Sequence, residues 1–92
     1  MSFEWDTRKE LNNIRKHGVD FTEAITVFGD PLELTISDPK HSVDEFRFLS
    51  VGYSFLNRLL VVAYTERENC TRIISARIAS PKERRAYEYE SD

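Results

Sequence analysis

The 92 residues are enough for one domain, residues 1–92, around one modest core; 40% are hydrophobic and 32% charged, as in a soluble globular chain, and no run approaches a membrane span. The single cysteine, Cys70, excludes an internal disulfide and a cysteine-built zinc site, and Met1 leads into Phe3-Glu4-Trp5-Asp6 with no signal peptide, so a cytoplasmic protein is expected. A net charge of −3 argues against a general nucleic-acid coat, yet Arg67 to Arg85 carries six basic residues against two acidic ones, a local +4 able to grip a phosphate chain at one place.

Phe3-Glu4-Trp5 reads as a short extended start. Thr7-Arg8-Lys9-Glu10 has capping-box spacing, with Asp6 or Thr7 as the cap, and predicts a helix to Lys16 or His17 ended by a left-handed Gly18. Its main apolar positions are Leu11 and Ile14, so the helix should be largely exposed. Its basic last turn, Arg15-Lys16-His17, is accounted for by the negative end of the helix dipole, worth a few tenths to about 1 kcal/mol. Asp20-Phe21-Thr22-Glu23 starts a second helix. Phe21, Ala24, Ile25 and Phe28 recur at i, i+3, i+4 and i+7, and Gly29-Asp30-Pro31 stops it.

Leu32 to Ser37 alternates as a strand with one buried face, and Asp38-Pro39-Lys40-His41-Ser42 is a loop. Phe46 and Phe48 share a face of the next strand, with Glu45 and Arg47 on the other. Gly52 to Arg58 turns into a central hairpin, whose apolar strands Leu59 to Tyr64 and Arg72 to Ala79 flank a polar, turn-like Thr65 to Thr71. Ser80-Pro81-Lys82-Glu83 starts a last helix. Strand, helix, helix, four strands and helix make an α+β fold, a mostly antiparallel sheet packed by two N-terminal helices and one C-terminal helix.

The arginines inside an apolar strand are the chemical anomaly. Arg72 and Arg77 are five apart, so regular alternation puts Arg77 with Ile73 and Ser75, and Arg72 with Ile74, Ala76 and Ile78; only a bulge would bring both to one face. Arg77, beside the capped helix, is the better site candidate, although a salt bridge is the commoner fate of an arginine. Arg67 reads as part of a solvated tip with Glu66 and Glu68, and Arg47 as a cross-strand partner of Glu33 or Glu45. His17 and His41 have no metal-ligand spacing, and there is no glycine-rich phosphate loop.

Phe3-Glu4-Trp5-Asp6, Lys9, Asn12, Lys16-His17-Gly18-Val19, Phe21, Glu23-Ala24 and Val27-Phe28 resemble the opening of the BrnT toxins. The resemblance continues through Asp30-Pro31, Asp38, His41, Glu45, Arg47, Gly52, Leu60-Val61-Val62 and Tyr64-Thr65-Glu66-Arg67, and closes with Arg72-Ile73-Ile74-Ser75-Ala76-Arg77 and Glu83-Arg84-Arg85-Ala86-Tyr87. One departure is Phe55-Leu56-Asn57 before Arg58, where a smaller, glycine-containing turn is usual. The resemblance implies a RelE-like ribonuclease fold and the toxin of a type II toxin–antitoxin pair. It also implies metal-independent RNA cleavage that arrests translation, with no cofactor. The implied partner is a BrnA-like antitoxin whose ribbon-helix-helix domain binds the operator DNA; the toxin would reach that DNA only through it, as a hetero-oligomer.

Attack of an RNA 2′-hydroxyl on its own 3′-phosphate fits both readings. It needs a base, an acid, and a cation for the phosphorane. His17 suits proton transfer near neutrality, with Glu66 a weaker candidate for base, and Arg77 and Arg67 suit the phosphorane. Lys16, Arg47 and Arg84 are expected phosphate contacts. The rival reading is a non-catalytic module or co-repressor that binds the antitoxin through the same arginines.

Overall fold

The computed structural model describes residues 2–38 and 46–91. The expected Pro39–Ser42 loop with His41, and Glu45, lie outside these residues. Strand β1 (Ser2–Trp5) leads into helix α1 (Thr7–His17) and helix α2 (Phe21–Ile25), which tightens into a 3₁₀ turn (Thr26–Gly29). Strands β2 (Leu34–Ser37), β3 (Arg47–Tyr53), β4 (Leu59–Arg67) and β5 (Cys70–Ile78) follow, then helix α3 (Pro81–Ser91). The sheet order is β1-β5-β4-β3-β2. Three ladders are antiparallel, and β1 lies parallel to β5, so the fold is α+β with a mixed sheet. No helix among the described residues is long and apolar enough to cross a membrane.

The helix ends follow from local chemistry. The Asp6 carboxylate accepts from the backbone N–H groups of Arg8 (2.8 Å) and Lys9 (3.1 Å), making Asp6 the cap, and Gly18 closes α1 at φ 70°. Asp20 caps α2 through the Glu23 N–H. The regular helix expected through Phe28 ends at Ile25, where the Thr26 hydroxyl bonds back to the Glu23 carbonyl at 2.6 Å. Phe21, Ala24 and Val27 are fully buried at a spacing of three, which suits the tighter 3₁₀ continuation.

One sheet face lies under α1 and α2. Val19, Phe21, Ala24 and Val27 pack there on Leu60, Val62, Tyr64, Ile73 and Ala76, with Phe3, Trp5, Phe28 and Phe48 around them. Among the described residues the other face is covered at one end only, where Tyr87 of α3 joins Val51, Leu59, Val61 and Ala79. The Tyr87 hydroxyl donates to Asp30 at 2.6 Å, and the same carboxylate oxygen accepts the Tyr53 N–H at 2.8 Å, tying α3 to β3.

Two features of the central hairpin depart from the sequence pattern. The Thr65–Thr71 link is mostly strand, and the turn is Glu68-Asn69, with Glu68 at φ 48°. Thr65 and Thr71 are buried because their hydroxyls find acceptors in the Phe46 carbonyl (2.7 Å) and the Glu66 carboxylate (3.0 Å). Second, Ala63 pairs with Ser75 but Tyr64 pairs with Ile73, so Ile74 is an extra residue in β5. Ile73 and Ala76, three apart, therefore both enter the helix-covered core. This corrects the regular alternation: Arg77 parts from Ile73, and Arg72, Ser75 and Arg77 fall on the opposite face.

The departure at Phe55-Leu56-Asn57 forms an exposed tip with Asn57 at φ 61°. Arg58 behind it is firmly held. Its Nε donates to Glu23 Oε2 at 2.9 Å, its Nη2 pairs with Glu23 Oε1, and the Ser54 hydroxyl donates to Glu23 at 2.7 Å. Glu23 is buried, and these hydrogen bonds, the Arg58 one foremost, hold its carboxyl below the usual carboxylate range.

Candidate active site

Beyond the part of the second face that α3 covers, β3, β4 and β5 form a groove of about 420 Å³ lined, among the described residues, by Asp38, Arg47, Leu49, Ala63, Ile74, Ser75 and Arg77. Register assembles it: Leu49 and Ser75 both lie opposite Ala63, Arg47 opposite Thr65, and Arg77 opposite Val61. The small side chains of Ala63 and Ser75 leave the floor low, and Arg47 and Arg77 supply positive charge from two strands.

Arg77 is half-exposed and held by Glu83 of α3. Its Nη1 and Nη2 donate to Glu83 Oε1 and Oε2 at 2.6 and 2.7 Å. Glu83 is itself anchored by the reciprocal cap of α3, accepting the Ser80 N–H at 2.8 Å while its own N–H donates to the Ser80 hydroxyl at 3.2 Å. The Arg77 fork, aided by the Ser80 N–H, drives the Glu83 carboxyl down to about 2, and the same pairing raises the Arg77 pKa. The fork takes one edge of the guanidinium and leaves the Nε edge unengaged by Glu83.

A second recess, of about 270 Å³, adjoins the groove. Lys9, Asn12, Asn13, Lys16 and His17 of α1 line it with Ile74 and Ser75, so the bulge of β5 forms a wall common to both. Asn13 fixes this junction. β1 ends opposite Ile73, and beyond it the Asn13 amide takes the place of a neighbouring strand. Its Nδ2 donates to the Ala76 carbonyl at 2.8 Å and the Val19 carbonyl at 2.9 Å, and its Oδ1 accepts the Ala76 N–H at 3.1 Å. Sequence reasoning missed Asn13. The only signal was an Asn12-Asn13 pair inside a helix, where asparagine is a poor former.

Of the candidate residues, Arg47 and Arg77 share the groove, and Lys16 and His17 face the adjoining recess. Arg67 lies elsewhere, beside Ser2, Glu4, Glu68, Asn69 and Cys70 at the hairpin end. It pairs with Cys70, seven residues from Arg77 along β5, or roughly 20 Å at the rise of a strand. The expectation that Arg67 and Arg77 clamp one phosphorane is not met, because β4 and β5 run past their apolar segments and carry Arg67 away. Arg84 donates to the Tyr53 hydroxyl at 3.3 Å from α3. Glu66 points to the helix-covered face, where Thr71 bonds it. Glu33, an expected partner of Arg47, is on that face too, bonded by Ser50 and Thr35. Arg72 pairs with Glu4 of β1.

Residues 5–83 match the family model described as the ribonuclease toxin, BrnT, of a type II toxin–antitoxin system. The chain belongs to the BrnT family. It is also similar to the 1.1 Å crystal structure of the Brucella abortus ribonuclease toxin BrnT, at 25% identity and a TM-score of 0.65, over 87% of this chain and 97% of that one. No curated protein matches it. The BrnT match takes in the groove and the α1 recess whole, from Lys9 to Arg77, and stops one residue short of Arg84.

Proposed function

We propose that this BrnT-family chain cleaves RNA without a metal ion and so arrests translation in the cytoplasm. The observation that carries the reading is the pairing of Arg47 with a pre-aimed Arg77 in one groove on the open sheet face. Among the described residues no three His, Cys, Asp or Glu side chains gather to hold a metal ion. In the proposed reaction a ribose 2′-oxygen bonds to the adjacent phosphorus as the bond to the 5′-oxygen breaks. Arg77 offers its Nε edge to the phosphorane while Glu83 keeps the other edge fixed, so little reorganisation is needed as charge develops. Arg47 adds a second cation. His17, across the Ile74-Ser75 wall, serves proton transfer to or from the reacting oxygens. Lys16, Arg67 and Arg84 contact the flanking chain. A BrnA-like antitoxin with a ribbon-helix-helix domain neutralises the toxin and carries it to operator DNA.

The test is the product. RNA incubated with the protein in excess EDTA should end in 2′,3′-cyclic phosphates; loss of cutting in EDTA and its return with magnesium would refute the metal-independent step. The Glu83 fork itself favours a second reading, in which Arg77 is structural and the chain is a co-repressor that binds antitoxin without cutting RNA. Absence of cleavage by folded, antitoxin-binding protein would select it.

A further inference from the structure

We infer that the recess between α1 and the β5 bulge is a separate subsite for single-stranded RNA, seating the nucleotide next to the one in the arginine groove, with Lys9 as its principal phosphate contact. The inference deepens the ribonuclease reading and rests on it for the identity of the ligand. Lys9, Asn12 and Lys16 stand at i, i+3 and i+7, one face of α1, and Asn13 and His17 continue the same stripe. The Asn13 amide is committed to the backbone of Ala76 in β5 and of Val19, so it holds the stripe against the bulge and leaves Asn12 to the recess.

The basic side chains there lack ion-pair partners among the described residues. Arg58, Arg72 and Arg77 are each tied to a carboxylate, whereas among the described residues Lys9, Lys16 and His17 have no ion pair. Among the described residues no acidic side chain lines the recess, while the groove includes Asp38 and the hairpin-end recess includes Glu4 and Glu68. The helix dipole accounts for Lys16 and His17 in the last turn but not for Lys9, which sits in the first turn where the dipole opposes a cation. Asp6 feels the Lys9 charge without pairing with it. Two lysines and a histidine around a cavity that shares its Ile74-Ser75 wall with the groove suit a polyanion running over the bulge.

The test is fluorescence anisotropy with a labelled RNA oligonucleotide, 2′-O-methylated throughout so that it is not cut, titrated with the full chain over a range of salt. Lys9→Ala should weaken binding roughly three- to tenfold at low salt and reduce the slope of log K against log salt by about 0.7, one phosphate contact to a single strand. Lys9→Arg should keep the slope, and Arg15→Ala, an equal loss of charge on the exposed side of α1, should leave affinity and slope unchanged. Equal behaviour of Lys9→Ala and Arg15→Ala, or no binding of the oligonucleotide by the parent, would overturn the subsite. A Lys9 effect in a protein that cuts no RNA would uphold the subsite and refute the cleavage reading alone.

Discussion

Arg77 and Glu83 meet through two parallel hydrogen bonds of 2.6 and 2.7 Å, and Glu83 simultaneously closes the N-terminal cap of α3. One carboxylate therefore aims the arginine of the groove and sets the start of the last helix.

This pairing predicts an acid-sensitive stability. The Glu83 pKa is lowered from 4.5 to about 2. A depressed carboxylate contributes stability that is present above its unfolded pKa and lost as pH falls through the folded one, so the loss belongs between about pH 4.5 and about pH 2. A shift of that size corresponds to about 3 kcal/mol, but Arg77 is 41% exposed, and screening reduces the expected contribution to about 1 to 2 kcal/mol. Urea unfolding over this range should show Glu83→Gln with a flatter acid limb than the parent. Parallel limbs would mean that the fork does not contribute.

Arg58 is expected to be a stability residue. Its removal leaves the Glu23 carboxylate, 3% exposed, with only the Ser54 hydroxyl. Arg58→Ala should cost about 3 kcal/mol and lower Tm by roughly 10 °C or more. Calorimetry showing an unchanged Tm would refute the role assigned to this pair.

Asn13→Ala should leave the Ala76 N–H and carbonyl without the partner that replaces a strand, at about 2 to 3 kcal/mol. The sharper readout is hydrogen exchange: the Ala76 amide should exchange much faster in the variant, while the Leu60 amide, inside the β3–β4 ladder, changes less. Uniform acceleration across the sheet would indicate global destabilisation and no local clamp.

Features made by neighbours in the chain were legible in the sequence. Asp6, Gly18, Asp20 and the Ser80–Glu83 box act within one helical turn, and their residue types state their roles. The bulge at Ile74 was not legible, since Ile73, Ile74, Ala76 and Ile78 are all apolar and no periodicity chooses which of them turns inward. The choice is made by the pairing of Ala63 with Ser75 and by the Asn13 clamp across the β5 edge, both long-range. The remoteness of Arg67 was hidden for a similar reason. Thr65 and Thr71 look like turn residues until their buried acceptors are known, so the strands extend further than their apolar segments. For Arg77 the sequence pattern left both a site role and an ion pair open, and the structure shows the ion pair.

The central claim is that Arg77 clamps the reacting phosphate while paired with Glu83. Its most direct test is single-turnover RNA cleavage in EDTA by the parent, Arg77→Lys and Arg77→Ala, beside their melting curves. The account predicts that both variants lose about two to three orders of magnitude in rate, because lysine keeps the charge but loses the planar donors, with Tm only modestly lowered. An Arg77→Ala protein that melts early but cuts RNA at the parental rate would contradict it.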